Sequence, residues 1–192
     1  IENMRLYAST RRSAELEARL NEVMEAISST LDIHQIVQGV ARGAIRLVPF
    51  TRMTIALLDT EQTGFDIIHV SVEADDELTV TRDRRASIDG TALGRTFDEE
   101  QDYLYNADDG FVQQYDDLRQ LYDEGERTSL FTPLITGGLC LGAMHLGSNI
   151  PDAPGFEEYR PLLKRIANLS AVAVQNARLF NHAVNLRLFN ES

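Results

Sequence analysis

Apolar positions recur along this chain with two different periods, and the switches between them mark out its elements. From Met4 to Ser28 there is no Gly or Pro. Leu16, Leu20, Val23 and Ile27 follow 4-3-4 spacing, which predicts a helix with a seam for a partner helix. Ser9 and Ser13 break the seam upstream, so the spacing fits either a coiled-coil entry or a helix packed on its own domain. Asp32 is a good N-cap for a second helix over 33–48, with Ile36, Val40, Ala44 and Leu47 on one face and Pro49 as the stop. Gly39 and Gly43 inside it predict close approach of another element. The period then falls to two. Strands are expected over 53–59, 65–71 and 78–82, the first pair joined by a turn at 61–64. A mixed stretch of about forty-five residues follows, too long for a plain connection. It reads as a short helix from the turn at 87–91 to Phe97, a short strand over 101–105 and a helix over 111–123.

Ser129 to Ser148 alternates as two strands around Gly137-Gly138, a pair suited to a tight primed turn. Folding there sets Leu141 opposite Leu134, Ala143 opposite Thr132, Met144 opposite Phe131 and His145 opposite Leu130. Neither face is polar, so the hairpin is expected at the centre of a sheet covered on both sides. The face with Thr132 and His145 is the expected pocket side, because Phe131, Ile135, Met144 and Leu146 suit helix packing. Beyond Pro151 and Pro154 the chain is expected to be helical to near Asn190, with Leu162, Ile166, Leu169, Ala173, Asn176, Phe180 and Ala183 at 4-3-4-3-4-3 spacing. Val172, Leu179 and Leu186 widen this stripe. Asn176 either fixes the register of a helix pair, or simply caps a local hydrogen bond or faces water. A helix of about 35 residues is roughly 50 Å long and should project past its domain. Helices flanking a meander of strands define an α+β fold.

Composition narrows the function. The 192 residues carry a formal net charge of −12, which argues against a broad nucleic-acid surface. One cysteine excludes an internal disulfide framework and a Cys-based zinc cluster. No apolar run is long enough to span a membrane, and no signal peptide is visible. The chain opens at Ile1 within a helical pattern, so it is expected to be a segment of a longer cytoplasmic protein.

The segment from Val23 to Asp59, the hairpin with Pro133-Leu134 and Leu141-Gly142, and the stretch Phe156 to Phe180 with Asn176-Ala177-Arg178-Leu179 together resemble GAF domains, over about residues 16–183. The resemblance implies a six-stranded antiparallel sheet with the N- and C-terminal helices on one face and a small-molecule pocket, capped by loops and helices, on the other. It implies a sensory and dimerising module of a signalling protein such as a sensor histidine kinase of a bacterial two-component system, with 1–15 as an entry helix and 184–192 leading to an effector. Alternatives are a dimerisation scaffold with no ligand and a haem- or metal-binding sensor using His69 and His145.

Candidate ligand contacts are Thr128, Thr132, His145, His69, Tyr103, Tyr105, Phe111 and Tyr115. Tyrosines suit a mixed pocket but also serve simply to cover a sheet. Candidate dimer contacts are Leu16, Leu20, Val23, Ile27, Leu169, Ala173, Asn176 and Phe180. The cofactor stays unknown. Bilin-attaching members use a pocket-side cysteine, whereas Asp89 to Asp123 has none and Cys140 is expected on the helix side. Free methionine sulfoxide reduction in the family uses several cysteines. No phosphate loop, nucleophile elbow or His-Glu-x-x-His is present, so no enzymatic activity is expected. Asp98-Glu99-Glu100 and Asp108-Asp109 read as solvated turns.

Overall fold

The computed structural model describes residues 2–59, 61–107 and 110–190. Helix α1 (Glu2–Ser28) runs into α2 (Ile33–Ile45) through a corner capped by Asp32, whose carboxylate accepts from His34 N at 2.8 Å and Gln35 N at 3.3 Å. α2 stops three residues before the expected end because Leu47 and Val48 both turn their N–H groups back to Ala44 O. A Cβ on Gly43 would lie 2.3 Å from Val23 Cγ2, so the α1–α2 crossing is as close as its glycines predict.

Strands β1 (Arg52–Leu58), β2 (Phe65–Val72) and β3 (Leu78–Ala86) form the first meander. Helix α3 (Ala92–Glu99), β4 (Tyr103–Asn106) and α4 (Asp116–Asp123) follow, then β5 (Thr128–Thr136), β6 (Leu139–Ser148) and α5 (Arg160–Asn190). All pairings are antiparallel, in the order β3-β2-β1-β6-β5-β4. The helix expected over 111–123 is split by Tyr115, which is extended (φ −123°, ψ 129°) so that Asp116 N can bond Gly90 O. The acidic pair Asp108-Asp109 and the side chain of Leu186 lie outside the described residues.

Side chains alternate across this sheet. One face, with Met53, Ile55, Leu57, Ile68, Val70, Leu130, Leu134, Met144 and Leu146, packs against α1, α2 and α5 in the larger core. The other, with Ala56, Phe65, Ile67, Tyr105, Phe131 and Ala143, packs under α3 and α4.

The β5–β6 register corrects the sequence expectation. Both turn glycines have positive φ (56° and 76°), and next to the turn Ile135 meets Cys140 and Thr136 meets Leu139 as expected. A bulge then places Gly142, not Leu141, opposite Leu134, and every later pair shifts by one. Phe131 therefore meets His145, Leu130 meets Leu146, and Thr132 meets Met144. Thr132 shares its face with Leu130 and Leu134 on the helix side, and Phe131 moves to the capped side. Cys140 feels the carboxylates of Glu100 and Asp98 at the end of α3, so it too lies on the capped side rather than the helix side.

The proposed dimer seam is also redistributed. Leu20, Val23, Ile27 and Ala173 are buried in the chain's own core, so the 4-3-4 pattern of α1 is satisfied by α2 and α5. Leu16 and Leu169 are half-buried, while Asn176 and Phe180 are exposed. Among the described residues the last buried one on α5 is Ala177, and the described side chains beyond it are half-buried or exposed.

Candidate functional site

Between the capped face and α4 lies a cavity of about 400 Å³. Its base is Thr54, His69 and His145 on three adjacent strands, one wall is Ile67, Leu93, Leu121 and Phe131, and its rim carries Arg52, Ser71, Thr81, Gln120 and Glu124. An apolar wall with a few convergent polar groups is the usual form of a small-molecule site.

The polar base is a connected chain. Glu126 and His145 are 6% and 1% exposed, and His145 Nε2 donates to Glu126 Oε1 at 2.8 Å. The buried Ser129 hydroxyl donates to the same carboxylate oxygen. On its other side the ring's Nδ1 lies 3.5 Å from Thr54 Oγ1, and Thr54 Oγ1 lies 3.0 Å from His69 Nδ1, so the hydroxyl links the two imidazoles. Glu126 thus anchors one end of a series that runs through His145 and Thr54 to His69. The carboxylate fits only because residue 147 is glycine: a Cβ there would lie 1.9 Å from Glu126 Oε2. At the rim, Arg52 pairs with Glu124 at 2.6 Å, and Gln120 donates to the other Glu124 oxygen at 3.0 Å.

Asp117 joins the two capping helices. From the start of α4 its carboxylate accepts from Ala92 N at 2.8 Å and Leu93 N at 3.1 Å, the first N–H groups of α3. Burial pushes this carboxyl above the usual range, against the pull of those backbone donors. An occupant of the cavity therefore touches the residue that holds α3 to α4.

The expected ligand contacts divide into three groups. His145 and His69 line the cavity. Thr132 faces the helices, and Thr128 Oγ1 tethers the β6–α5 connection, 2.9 Å from Ile150 O and accepting from Ala153 N at 3.1 Å. Tyr103, Tyr105, Phe111 and Tyr115 do come together, but around Arg95 at the β4 edge rather than in the cavity. The Arg95 guanidinium sits 4.0 Å above the Tyr103 ring and 5.9 Å from that of Tyr115, and donates to Tyr105 Oη at 3.4 Å. Tyr105 stacks on Tyr103 and tilts against Phe111 and Tyr115, and burial pushes its hydroxyl up to about 12. Glu99, expected as a solvated turn residue, accepts from Arg95 and from the Tyr103 hydroxyl. The sheet-covering alternative describes these rings.

Sequence reasoning missed Thr54, Asp117, Ser129 and Glu126. Glu126 sits in an acidic turn where nothing marks it as buried; the one available signal was Gly147, a glycine inside a strand, which implies close approach. The haem or metal alternative does not fit His145, because both ring nitrogens are engaged. Among the described residues no group of three His, Cys, Asp or Glu could hold a metal. Burial also pushes the Cys140 thiol up, and its Sγ contacts Gly142 O at 3.3 Å.

A helix-backed antiparallel sheet with a capped cavity on its free face is the architecture of small signalling sensor domains. The chain belongs to the GAF domain family, whose model matches residues 15–174. No curated protein matches its sequence. Its fold is similar to that of the GAF domain of a phosphoenolpyruvate-protein phosphotransferase from Coxiella burnetii (15% identity, TM-score 0.67, covering 87% of this chain and 96% of that one). It is also similar to the GAF domain of a two-component sensor histidine kinase from Bacillus halodurans (15%, 0.62, 79% and 99%). A third similar structure is free methionine-R-sulfoxide reductase from Neisseria meningitidis with its substrate (14%, 0.62, 88% and 93%). No helix among the described residues is long and apolar enough to cross a membrane.

Proposed function

We propose that this chain is the small-molecule-sensing and dimerising module of a larger signal-transduction protein, a sensor histidine kinase in the first instance, and that it binds rather than transforms its ligand. The observation that carries this reading is the buried Glu126–His145–Thr54–His69 series at the base of the cavity. A plain structural core would fill the same positions with apolar side chains, since buried polar networks are costly unless fully satisfied. The ligand it suits is a small molecule with an apolar body against Phe131, Leu93 and Leu121 and a polar end toward Thr54 and the Arg52–Glu124 rim.

Signalling follows from Asp117. A ligand that prefers one placement of α3 and α4 biases the cap; equal affinity for both placements would shift nothing. The outlet is α5, whose exposed Val172, Leu179, Phe180 and Val184 form an apolar surface for a second copy. The test is a thermal-shift screen of small metabolites, with sedimentation of the wild type and a Leu179→Glu, Phe180→Glu variant. A ligand-dependent rise in Tm that Thr54→Val weakens, together with a dimer that the α5 variant splits, is the expected result. A dimer with no response to any compound would replace this reading with a ligand-free scaffold.

A further inference from the structure

A second groove lies on the opposite side of the sheet, between the N-terminal end of α2, the β1–β3 edge and the segment of α5 that leaves the core, with a volume of about 830 Å³. Two guanidinium groups face it, Arg82 from β3 and Arg178 from α5. Arg178 is half-buried and donates to Leu58 O at 3.0 Å. Among the described residues neither arginine has a carboxylate within ion-pairing distance, unlike the paired Arg12, Arg46, Arg52, Arg95 and Arg160. The two acids in the groove do not supply one. Asp32 is occupied in capping α2, and Asp66 attracts Arg178 from beyond ion-pair distance. Burial pushes the Arg178 guanidinium down; the attraction of Asp66 offsets part of that and exceeds the repulsion from Arg82. Arg178 is thus a half-buried cation with a carbonyl partner and no ion pair among the described residues, and desolvated charges are favourable only when compensated. Around the pair stand further N–H donors, the amides of Asn181 and Asn185 and the imidazoles of His34 and His182, and the half-exposed Phe180 ring forms an apolar border.

We propose that this groove binds the oxyanion, phosphate or carboxylate, of a small molecule with an aromatic or apolar body, held by Arg82 and Arg178 and bordered by Phe180. Guanidinium forks suit both oxyanions, and charge-assisted bonds here bridge β3 to α5. Binding would fasten the first exposed turn of α5 to the sheet edge. This site is separate from the cavity under α4 and does not depend on that cavity taking a ligand.

The test is an NMR titration of the chain with inorganic phosphate, phenyl phosphate and benzoate at constant ionic strength, following the Arg178 Nε–Hε signal and the amides of Asn181 and His182. The expected result is saturable shifts confined to these signals, tighter for phenyl phosphate than for inorganic phosphate. Arg82→Gln, at an exposed position, should weaken binding about tenfold, the loss of one charge-assisted contact. Arg12→Gln, in α1 and paired with Glu158 away from the groove, should leave it unchanged. A stronger response to phenyl phosphate than to benzoate identifies a phosphate ligand, and the reverse identifies a carboxylate. Shifts that grow linearly without saturation, that appear equally at surface arginines, or that persist unchanged in Arg82→Gln would overturn the proposal. Because Arg178→Gln also removes the bond to Leu58 O, Arg82→Gln decides the matter if that variant does not fold.

Discussion

The two faces of this sheet are made by the same strands, residue by residue, and differ in what alternation delivers to each. On the helix side, β1 presents Met53, Ile55 and Leu57, and an apolar core closes over Ile36, Phe156 and Ile166. On the capped side the same strand presents Thr54 and Ala56, its neighbours add His69 and His145, and β5 adds Ser129. The first face is filled; the second keeps a cavity over a hydrogen-bonded floor. Apolar packing and recognition are thus placed on opposite faces by a period of two, and the parity of a position decides whether a substitution opens the filled core or disturbs the polar floor.

The largest effect should come from the filled side. Phe156→Ala removes a side chain only 1% exposed and should cost about 3–5 kcal/mol in urea unfolding. The cavity floor should remain intact in the folded fraction, and loss of the His145 and Thr54 amide pattern in folded Phe156→Ala would show that the faces are not separate.

Next is Gly147→Ala, which drives a Cβ into Glu126 and should cost on the order of 3 kcal/mol by displacing a buried carboxylate from its hydrogen bonds to His145 and Ser129. Because the damage passes through Glu126, combining it with Glu126→Gln should cost clearly less than the two single losses added together. Additive losses would mean that Gly147 matters for another reason. Thr54→Val keeps shape but removes the hydroxyl between the two imidazoles, and should cost about 1–2 kcal/mol while weakening any ligand on the capped side. An unchanged unfolding midpoint would count against a connected floor.

The smallest effect is one of pH. Burial works to raise the Asp102 carboxyl, but the hydrogen bonds and charges of Arg160 and Lys164 outweigh it and hold it below its ordinary value of 3.8. A depressed folded value means that its contribution to stability is present above 3.8 and is lost as pH falls through the folded value. Asp102→Asn should therefore be less stable than wild type near neutrality, with the gap closing as urea unfolding is repeated toward pH 3. A gap that stayed constant would remove Asp102 from the account.

Much of the fold was legible because its signals are local. The Asp32 cap, the Gly137-Gly138 turn and the change of period at Met53 each depend on residues close in sequence, and each appears where expected. The site was less legible because it depends on register. Near the turn the expected pairing holds, yet one bulge at Leu141 reverses the sides of Thr132 and Phe131, and no residue type announces a bulge unambiguously. His145 and His69 were found because a histidine among strand apolar positions stands out. Glu126 and Asp117 were not, since a buried acid in an acidic loop looks like a solvated one. The 4-3-4 spacing of Leu16, Leu20, Val23 and Ile27 was read correctly as a helix contact, but α2 and α5 within the same chain fill it at Leu20, Val23 and Ile27. The aromatic residues near β4 were grouped correctly, and the missing piece was Arg95, the cation they enclose.

The claim that the capped face is built to hold a ligand is tested most directly by following backbone amide signals of the chain against a panel of small metabolites. The account predicts at least one compound with saturable shifts at Thr54, His69, Gln120 and His145 that extend to Ala92 and Leu93 through Asp117. Saturable binding that leaves those residues unmoved, or a panel that binds nowhere beneath α4, would contradict it.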